Sequence, residues 1–225
     1  MKPGNYGLIG PNAAGKTHYL RSRFTHGAAF VPAAADAHFA GRTVADHLRA
    51  AHAVRPLNDD LLADFNPGAK IRDLSVGQRR LLTICTALAA EEDLLLLDEP
   101  FDGLDVDNRA RIRELLIDTY TPERTMIIAS HRSDDLAGLV DSVITVFDQE
   151  VSEPISLDKV RRNFPTLLGR KDEVRQLVEK RKVVREDVLG PTVRVTFAEP
   201  LDHPSATYPS DQELIDLLAS GKANR

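Results

Sequence analysis

Short apolar runs alternate with stretches of helical periodicity along the first two thirds of the chain. Continuous apolar runs of this length are typical of parallel strands that are covered on both faces. Apolar residues at helical spacing predict helices over Val76–Ala89 and Asp107–Thr119. Strands that alternate with helices in this way indicate an α/β fold with a mainly parallel sheet flanked by helices. The predicted strands are Tyr6–Ile9, Ala28–Val31, Leu94–Leu97, Thr125–Ala129 and Val143–Phe147.

Capping residues mark further helix starts. Thr43, with Asp46 at the third helical position, predicts an N-cap. Ser210 and Glu213 form a capping-box pattern before a last helix that extends through Ala219. Shorter helices are predicted after the first strand as far as Phe24, from near Asn58 to the turn at 66–68, and over Asp134–Leu139.

The pattern changes after Glu153 and Pro154, and we place a domain boundary near residue 152. Residues 1–151 form the predicted main domain, and residues 152–225 form a small α+β accessory region. Its basic tract, from Lys180 to Arg185, fits either a solvated helix face or a contact with a partner or with acidic lipid. The accessory region is predicted to contain a helix capped by Ser156, a charged helix over Asp172–Val184 and an edge strand over Thr192–Phe197.

The composition is that of an ordinary soluble globular protein. The 225 residues are 42% hydrophobic and 28% charged, enough for one large domain or for one domain with an appendage. A single cysteine, Cys85, excludes an intramolecular disulfide and fits a reducing cytoplasm. No apolar run has the length of a membrane span, and no signal-peptide pattern is visible. We therefore expect a cytoplasmic protein that reaches a membrane only through a partner. The net charge of −5 argues against nucleic acid as the main ligand.

A phosphate-binding loop pattern lies between the first predicted strand and the first predicted helix. Gly10 and Gly15 let the backbone turn so that successive N–H groups converge on phosphate oxygens, and the helix N-terminus adds partial positive charge. Lys16 would reach the β- and γ-phosphates, and the Thr17 hydroxyl would hold Mg²⁺. The strand–loop–helix setting favours phosphate binding over a Gly-rich turn without a ligand. The loop consists of Gly10, Pro11, Asn12, Ala13, Ala14, Gly15, Lys16 and Thr17.

Two adjacent acids, Asp98 and Glu99, follow the buried run Leu94–Leu97. Ligands bind at the carboxyl ends of strands in open α/β sheets. Asp98 would contact Mg²⁺ directly or through water, and Glu99 would polarise the water that attacks the γ-phosphate. A strand that ends in a polar turn would explain the acids equally well if the phosphate loop were not present.

The helix Val76–Ala89 is preceded by Ser75 as a predicted N-cap and has Gly77 in its first turn. Such a helix end presents free N–H groups and a hydroxyl, which suit a phosphate. On these residues alone, an ordinary capped helix is the simpler interpretation. His131, at the end of a predicted strand, is likewise most simply a structural histidine when it is taken alone.

Taken together and in order, the motifs resemble the nucleotide-binding domain of the ATP-binding cassette (ABC) family. The resemblance covers roughly residues 6–150. It is specific, because Leu-Ser-x-Gly-Gln at the head of a helix before Walker B distinguishes this family from other phosphate-loop ATPases. The motifs are Walker A at 10–17, Leu-Ser-Val-Gly-Gln at 74–78, Walker B at 94–99, Pro-Phe-Asp-Gly-Leu-Asp at 100–105 and Ala-Ser-His at 129–131.

The resemblance implies a P-loop ATPase with a short helical subdomain at about 37–90. It also implies a head-to-tail dimer that holds two ATP molecules, with Mg²⁺, at its interface. Ser75, Gly77 and Gln78 would bind the γ-phosphate of the ATP held by the loop of the other subunit. Asp105 would couple the two sites. His131 would contact the γ-phosphate and the attacking water, and so act in catalysis together with Glu99 and Lys16.

Several positions depart from the family pattern. The family aromatic residue that stacks on adenine precedes Walker A and has no counterpart here, so we expect adenine to be held differently. The family glutamine that follows Val-Pro is replaced by Ala33; Asp36 lies nearby, and the sequence leaves open whether it takes the place of the glutamine. Ala13 and Val76 stand where glycines are customary, and His18 stands where a Ser or Thr often helps to bind the α-phosphate. We expect the changes at Ala13, Val76 and His18 to lower affinity rather than to abolish binding.

The resemblance implies the ATP-binding and ATP-hydrolysing subunit of an ABC transporter. Its partners would be a second ATP-binding subunit, identical or paralogous, and a separate integral-membrane subunit. The alternative is a soluble ABC-class ATPase that acts as a switch or assembly factor, which the missing glutamine and the short helical subdomain favour. A third possibility is a degenerate ATP-binding subunit with little hydrolysis.

Overall fold

A mainly parallel sheet forms the centre of the computed structural model, which describes residues 1–34, 37–179 and 181–220 except for the side chains of residues 175–177. Five parallel strands have the order β2-β3-β4-β1-β5, and the short strands β6 and β7 pair with β5 in antiparallel fashion. The predicted α/β fold is therefore confirmed. The strands are β1 (Gly4–Ile9), β2 (Ala28–Val31), β3 (Leu94–Asp98), β4 (Thr125–Ser130), β5 (Ser142–Phe147), β6 (Glu150–Val151) and β7 (Ile155–Ser156).

Helices connect and cover these strands at nearly the predicted positions. Thr43 and Asp46 make both hydrogen bonds of the predicted capping box. The segment near Asn58 folds as a short 3₁₀ helix, Asp59–Leu62, rather than as an α-helix. The predicted helix over 134–139 is shorter than expected, because Gly138 turns the chain with a φ of 73°. The helices are α1 (Lys16–Arg23), α2 (Val44–Val54), α3 (Val76–Ala89), α4 (Val106–Asp118) and α5 (Ser133–Leu136).

The apolar runs are continuous because both faces of the sheet are buried. Leu95 and Leu97 face one hydrophobic cluster with Ile112 of α4, whereas Leu96 faces the opposite cluster with Leu20 of α1. Burial of each such side chain stabilises the fold by about 1.5–3 kcal/mol. The sheet is thus fixed between two helical layers, and its carboxyl edge has a fixed shape.

The last third of the chain adds a three-stranded antiparallel sheet with the order β8-β10-β9. The predicted helix over 172–184 ends early, since Val183 and Val184 begin a strand instead. The predicted edge strand over 192–197 lies at the centre of this sheet, paired on both sides. The elements are α6 (Leu157–Arg161), β8 (Thr166–Arg170), α7 (Lys171–Val178), β9 (Val183–Leu189), β10 (Thr192–Phe197) and α8 (Asp211–Ala219).

The accessory region packs directly on the main sheet. Leu214 and Ile215 of α8 share a buried cluster with Leu136 of α5 and Val143 of β5. Ser210 caps α8 with the predicted capping box, whereas Ser156 precedes α6 without a side-chain cap. The boundary near residue 152 stays a prediction. Over the described residues, no helix combines the length and the apolar character needed to cross a bilayer.

Candidate functional site

Three neighbouring strands deliver the predicted chemical groups to one edge of the sheet. β4 lies between β3 and β1, and all three run parallel. The phosphate loop follows β1, Glu99 follows β3, and His131 follows β4. Because parallel strands end at the same edge, this topology brings together residues that are far apart in sequence.

The phosphate loop needs its glycines for two different reasons. A Cβ atom on Gly10 would lie 2.2 Å from the carbonyl oxygen of Val146 in β5, so only glycine fits there. Gly15 has a φ of 110° and precedes α1 as its N-cap residue. Ala13 has a φ of 61°, in the left-handed region that disfavours a side chain. The backbone therefore keeps a glycine-like conformation at Ala13 despite the substitution.

Lys16, near the end of the loop and at the start of α1, is buried. Its Nζ atom donates to the carbonyl oxygens of Gly10 and Pro11 at 2.9 and 3.1 Å. The same atom lies 3.4 Å from Oε1 of Glu99. The ammonium group thus faces the acid at the end of β3 and is held against the loop backbone.

Thr17 and Asp98 form the predicted metal pair. The Thr17 hydroxyl donates to Oδ2 of Asp98 at 2.7 Å, and Asp98 is buried. A hydroxyl and a carboxylate are oxygen donors of the kind that Mg²⁺ prefers, and phosphates and water commonly complete its octahedron. No cluster of three or more His, Cys, Asp or Glu side chains suited to a metal ion occurs in the described part of the chain. The oxygen donors of Thr17 and Asp98 fit Mg²⁺ that is held jointly with a phosphate.

Glu99 is held in a strained and well-defined position. Its φ is 45°, and its backbone N–H donates to the carbonyl oxygen of Ala129 at 3.0 Å. The left-handed conformation costs a non-glycine residue about 1–2 kcal/mol, and such strain is often found at functional sites. Oε2 of Glu99 lies 3.0 Å from Nδ1 of His131, so the carboxylate is placed between His131 and Lys16.

The end of β4 is stabilised by a network of hydrogen bonds and an ion pair that the sequence analysis missed. The Ser130 hydroxyl donates to the buried Asp135 at 2.8 Å, and the backbone N–H of Arg132 donates to that hydroxyl at 3.1 Å. Arg109 of α4 forms an ion pair with Asp135. His131 lies between Ser130 and Arg132, so this network fixes the backbone that presents its ring to Glu99.

The head of α3 is formed as predicted. The Ser75 hydroxyl accepts from the backbone N–H of Gln78 at 3.1 Å, and the Ser75 N–H donates to the Gln78 side chain at 2.8 Å. A Cβ atom on Gly77 would lie 2.4 Å from Nδ2 of Asn108, so a close contact with α4 requires glycine here. Ser75 and Gln78 are exposed.

Asp105 caps α4 and holds Asn108 in place. One of its carboxylate oxygens accepts from the Asn108 backbone N–H at 2.8 Å, and both accept from the Asn108 side chain at 2.9 and 3.0 Å. Asn108 was missed because nothing in the linear pattern indicates its contact with Gly77. The segment containing Asp105 and the head of α3 are therefore in contact within one chain.

Residues of the phosphate loop line two clefts. One, of about 340 Å³, is lined by Lys16, Thr17, Asp98 and Glu99 among others, and Ala33 also lines it. Ser75, Gly77 and Gln78 are not among its lining residues. Asp36, whose replacement of the family glutamine the sequence left open, lies outside the described residues. The second cleft, of about 350 Å³, is lined by Ala13, Gly15, His18, Tyr19, Ser22, Gln149 and Val151.

Comparison with known proteins shows which families and solved structures this chain is similar to. A family model described by the words AAA domain, AbiEii toxin and Type IV TA system matches residues 30–133. An uncharacterized ABC transporter ATP-binding protein of Rhizobium meliloti (strain 1021) is 30% identical over 185 residues, covering 64% of this chain and 67% of that protein. The ABC transporter ATP-binding protein ModF of Escherichia coli (strain K12) is 36% identical over 84 residues, or 37% of this chain.

A solved structure of a metal-chelate type ABC transporter, in an inward-facing conformation, has the same fold. Its TM-score is 0.59 at 20% identity, and the match covers 89% of this chain and 88% of that chain. The chain spans only 17% of the length of ModF and 33% of the length of the ATP-binding protein YtrB of Bacillus subtilis (strain 168).

The central sheet and the strand–loop–helix at its carboxyl edge define a P-loop nucleotide-binding fold. Within that class, the chain belongs to the family of ABC transporter ATP-binding proteins.

Proposed function

We propose that this chain binds and hydrolyses ATP with Mg²⁺ and works as a head-to-tail dimer that powers a separate integral-membrane subunit. The observation that carries the proposal is the convergence of Lys16, the Thr17–Asp98 pair and the Glu99–His131 pair at one edge of the sheet. The family relationship supports ATP binding, and ATPase activity is general in that family.

The phosphate groups of ATP would bind across the loop from Gly10 to Thr17. The loop N–H groups and the N-terminus of α1 supply positive potential, and Lys16 adds a full charge. Thr17 and Asp98 would hold Mg²⁺, which neutralises charge on the β- and γ-phosphates when it is bound. Lys16 already faces the phosphate cleft, so it needs only to exchange its loop carbonyl acceptors for phosphate oxygens.

Glu99 is the proposed general base, and His131 is its partner. The carboxylate orients a water molecule in line with the γ-phosphate and accepts a proton from it as the water attacks. The ring of His131, held 3.0 Å from that carboxylate, fixes its direction and is placed to contact the γ-phosphate. Preorganised groups of this kind lower the barrier because they need no reorganisation during the reaction.

The second half of each site would come from another copy of the chain or from a paralogue. Ser75 and Gln78 are exposed at the N-terminus of α3, and they are absent from the lining of the cleft in their own chain. An exposed helix N-terminus favours an anion from outside the chain. Asp105, joined through Asn108 to Gly77, would sense closure of the dimer.

The experiment that tests this function is the substitution Glu99→Gln. Hydrolysis of MgATP should fall about 10²–10³-fold, since a general base contributes typically 10²–10⁴. ATP binding should persist, and light scattering should detect a dimer that forms only with ATP. The matched control is Glu114→Gln on α4, an exposed acid that should leave turnover unchanged. Unchanged turnover in Glu99→Gln would refute the role of Glu99.

A soluble ABC-class ATPase that acts as a switch or assembly factor is the second candidate. Ala33 favours it, because it lines the phosphate cleft at the position where the family pattern has glutamine. Co-purification separates the two functions, since the transporter function requires recovery from the membrane fraction with an integral-membrane protein. Recovery solely as a soluble protein would support the alternative.

We also propose a division of the chain into domains. An ATP-binding domain covers residues 1–151, with a helical subdomain at about 37–90, and an accessory region covers residues 152–225.

A further inference from the structure

Arg80, in the second turn of α3, is a buried cation whose guanidinium group contacts four backbone carbonyls. Its Nη2 atom donates to the carbonyl oxygens of Asp98 at 2.7 Å and Glu99 at 2.9 Å, and Nε donates to that of Pro100 at 3.1 Å. Nη1 donates to the carbonyl of Pro32, just beyond β2. Only 3% of the residue is exposed to solvent.

This contact set is specific to arginine. The guanidinium is planar and offers five N–H donors in a rigid fork, whereas the lysine ammonium has no fixed fork. Burial lowers the pKa of Arg80 to about 10, and the charges of Asp98, Asp102 and Glu99 oppose that effect. The group is therefore charged at neutral pH, and its cation attracts the dipoles of the carbonyls that surround it.

The carbonyls that Arg80 holds belong to the turn that aims the Glu99 side chain. Asp98, Glu99 and Pro100 are consecutive, and Glu99 in the middle has the left-handed φ of 45°. A strained conformation persists only where its surroundings over-determine it. Three of the four Arg80 hydrogen bonds fall on this turn, so Arg80 supplies much of that constraint.

The same side chain connects the head of α3 to the reacting groups. Ser75 caps the helix, and Arg80 lies five residues further on in sequence, about 7–8 Å along a rigid helix at 1.5 Å per residue. A movement of the exposed head of α3 therefore moves the guanidinium group and the turn at residues 98–100 to which it is hydrogen-bonded. The Pro32 carbonyl extends the link to the strand end that precedes Ala33 in the cleft wall.

We propose that Arg80 is a positioning residue that sets the direction of the Glu99 carboxylate and makes it depend on the position of α3. This inference rests on the proposed function, because it assigns Arg80 to the hydrolysis step of the same site. Arg80 does not line the phosphate cleft, so it acts on the reaction through the backbone carbonyls that it holds, three of which belong to residues 98–100.

The test compares Arg80→Lys with the control Arg79→Lys. The control makes the same chemical change one residue earlier, where the side chain forms no hydrogen bond with the described residues. Arg80→Lys keeps the charge and loses the fork. We expect kcat for ATP hydrolysis to fall about 10–100-fold, in line with the effect of misplacing a catalytic group by about 1 Å. The Kd for MgATP, measured by fluorescence titration, should change less than about threefold, and Arg79→Lys should match the wild type.

A double-mutant cycle identifies the residue through which Arg80 acts. In the Glu99→Gln background, Arg80→Lys should cause no further loss of the residual rate, because the group it positions is already disabled. Additive losses would mean that Arg80 acts independently of Glu99 and would overturn the inference.

The remaining outcomes are also decisive. If the wild type neither binds nor hydrolyses ATP, the proposed function fails. If the wild type hydrolyses ATP and Arg80→Lys does so equally well, only the role of Arg80 fails. Arg80→Gln serves as a second variant if Arg80→Lys is recovered unfolded. Loss of folding in both variants would assign Arg80 to stability alone and would likewise overturn the proposal.

Discussion

Nδ1 of His131 lies 3.0 Å from Oε2 of Glu99, and this contact joins the ends of two neighbouring strands, β4 and β3. We predict that His131→Ala lowers MgATP turnover about 10²–10³-fold, because the carboxylate loses the group that fixes its direction. The Kd for ATP should change little. The control His26→Ala removes an exposed ring after α1 and should leave the rate unchanged. An equal loss in both variants would contradict the role of His131.

Gly77 contacts Asn108 so closely that a single methyl group does not fit. Gly77→Ala should therefore destabilise the protein by about 1–3 kcal/mol, as overpacked sites do. Asn108→Ala removes the three atoms that the new Cβ would meet. In the Asn108→Ala background, Gly77→Ala should therefore lower the free energy of unfolding much less than it does in the wild type, as measured by urea unfolding. Strictly additive losses would show that the contact does not limit this position.

Ala13 has a φ of 61°, where the left-handed region costs alanine about 1–2 kcal/mol. Ala13→Gly removes that strain, although glycine loses about 0.5–1 kcal/mol more in backbone entropy on folding. We therefore expect a net stabilisation of about 0–1.5 kcal/mol, and each kcal/mol should raise the Tm by about 2–4 °C. A lower Tm for Ala13→Gly in thermal denaturation would contradict this account. The same substitution at Ala29, in the interior of β2, should destabilise the protein.

Cys85 is buried on α3, and burial raises the pKa of its thiol to about 11. The thiolate is the reactive form, so iodoacetamide at pH 8 should label the folded protein slowly and the urea-unfolded protein quickly. The folded state also holds the thiol proton more tightly than the unfolded state, whose pKa is near 9. Stability should thus be lost as the pH rises from about 9 toward 11, and Cys85→Ala should weaken this dependence. Fast labelling of the folded protein would refute the burial argument.

The five parallel strands of the main sheet were predictable from sequence because each contains a short apolar run. Leu95, Leu96 and Leu97 alternate between two buried faces, and this requirement leaves few other arrangements. Strands of the accessory sheet have weaker signals. Val183 and Val184 follow a charged helix without a strong break, and their strand forms because β10 is available as a partner.

The candidate site likewise contains features that the sequence predicts and contacts that only the structure shows. The phosphate loop and the acids at the end of β3 could be predicted from sequence, because the chemistry proposed for them requires fixed residue types at fixed spacing. The contacts of Arg80, Asn108 and Asp135 were not identified, because each joins elements that the linear order separates. A buried arginine that holds only backbone carbonyls leaves no pattern of partner side chains in the sequence.

The sequence by itself determined the mainly parallel α/β fold, and it predicted a phosphate loop from Gly10 to Thr17 and the types of the candidate reacting groups. Local spacing and alternation specify these features directly. Only the tertiary structure decided that His131 faces Glu99 and that Arg80 donates hydrogen bonds to the turn that carries Glu99. The order of strands in a sheet and the direction of a buried side chain depend on packing between distant segments, and short-range periodicity does not encode them.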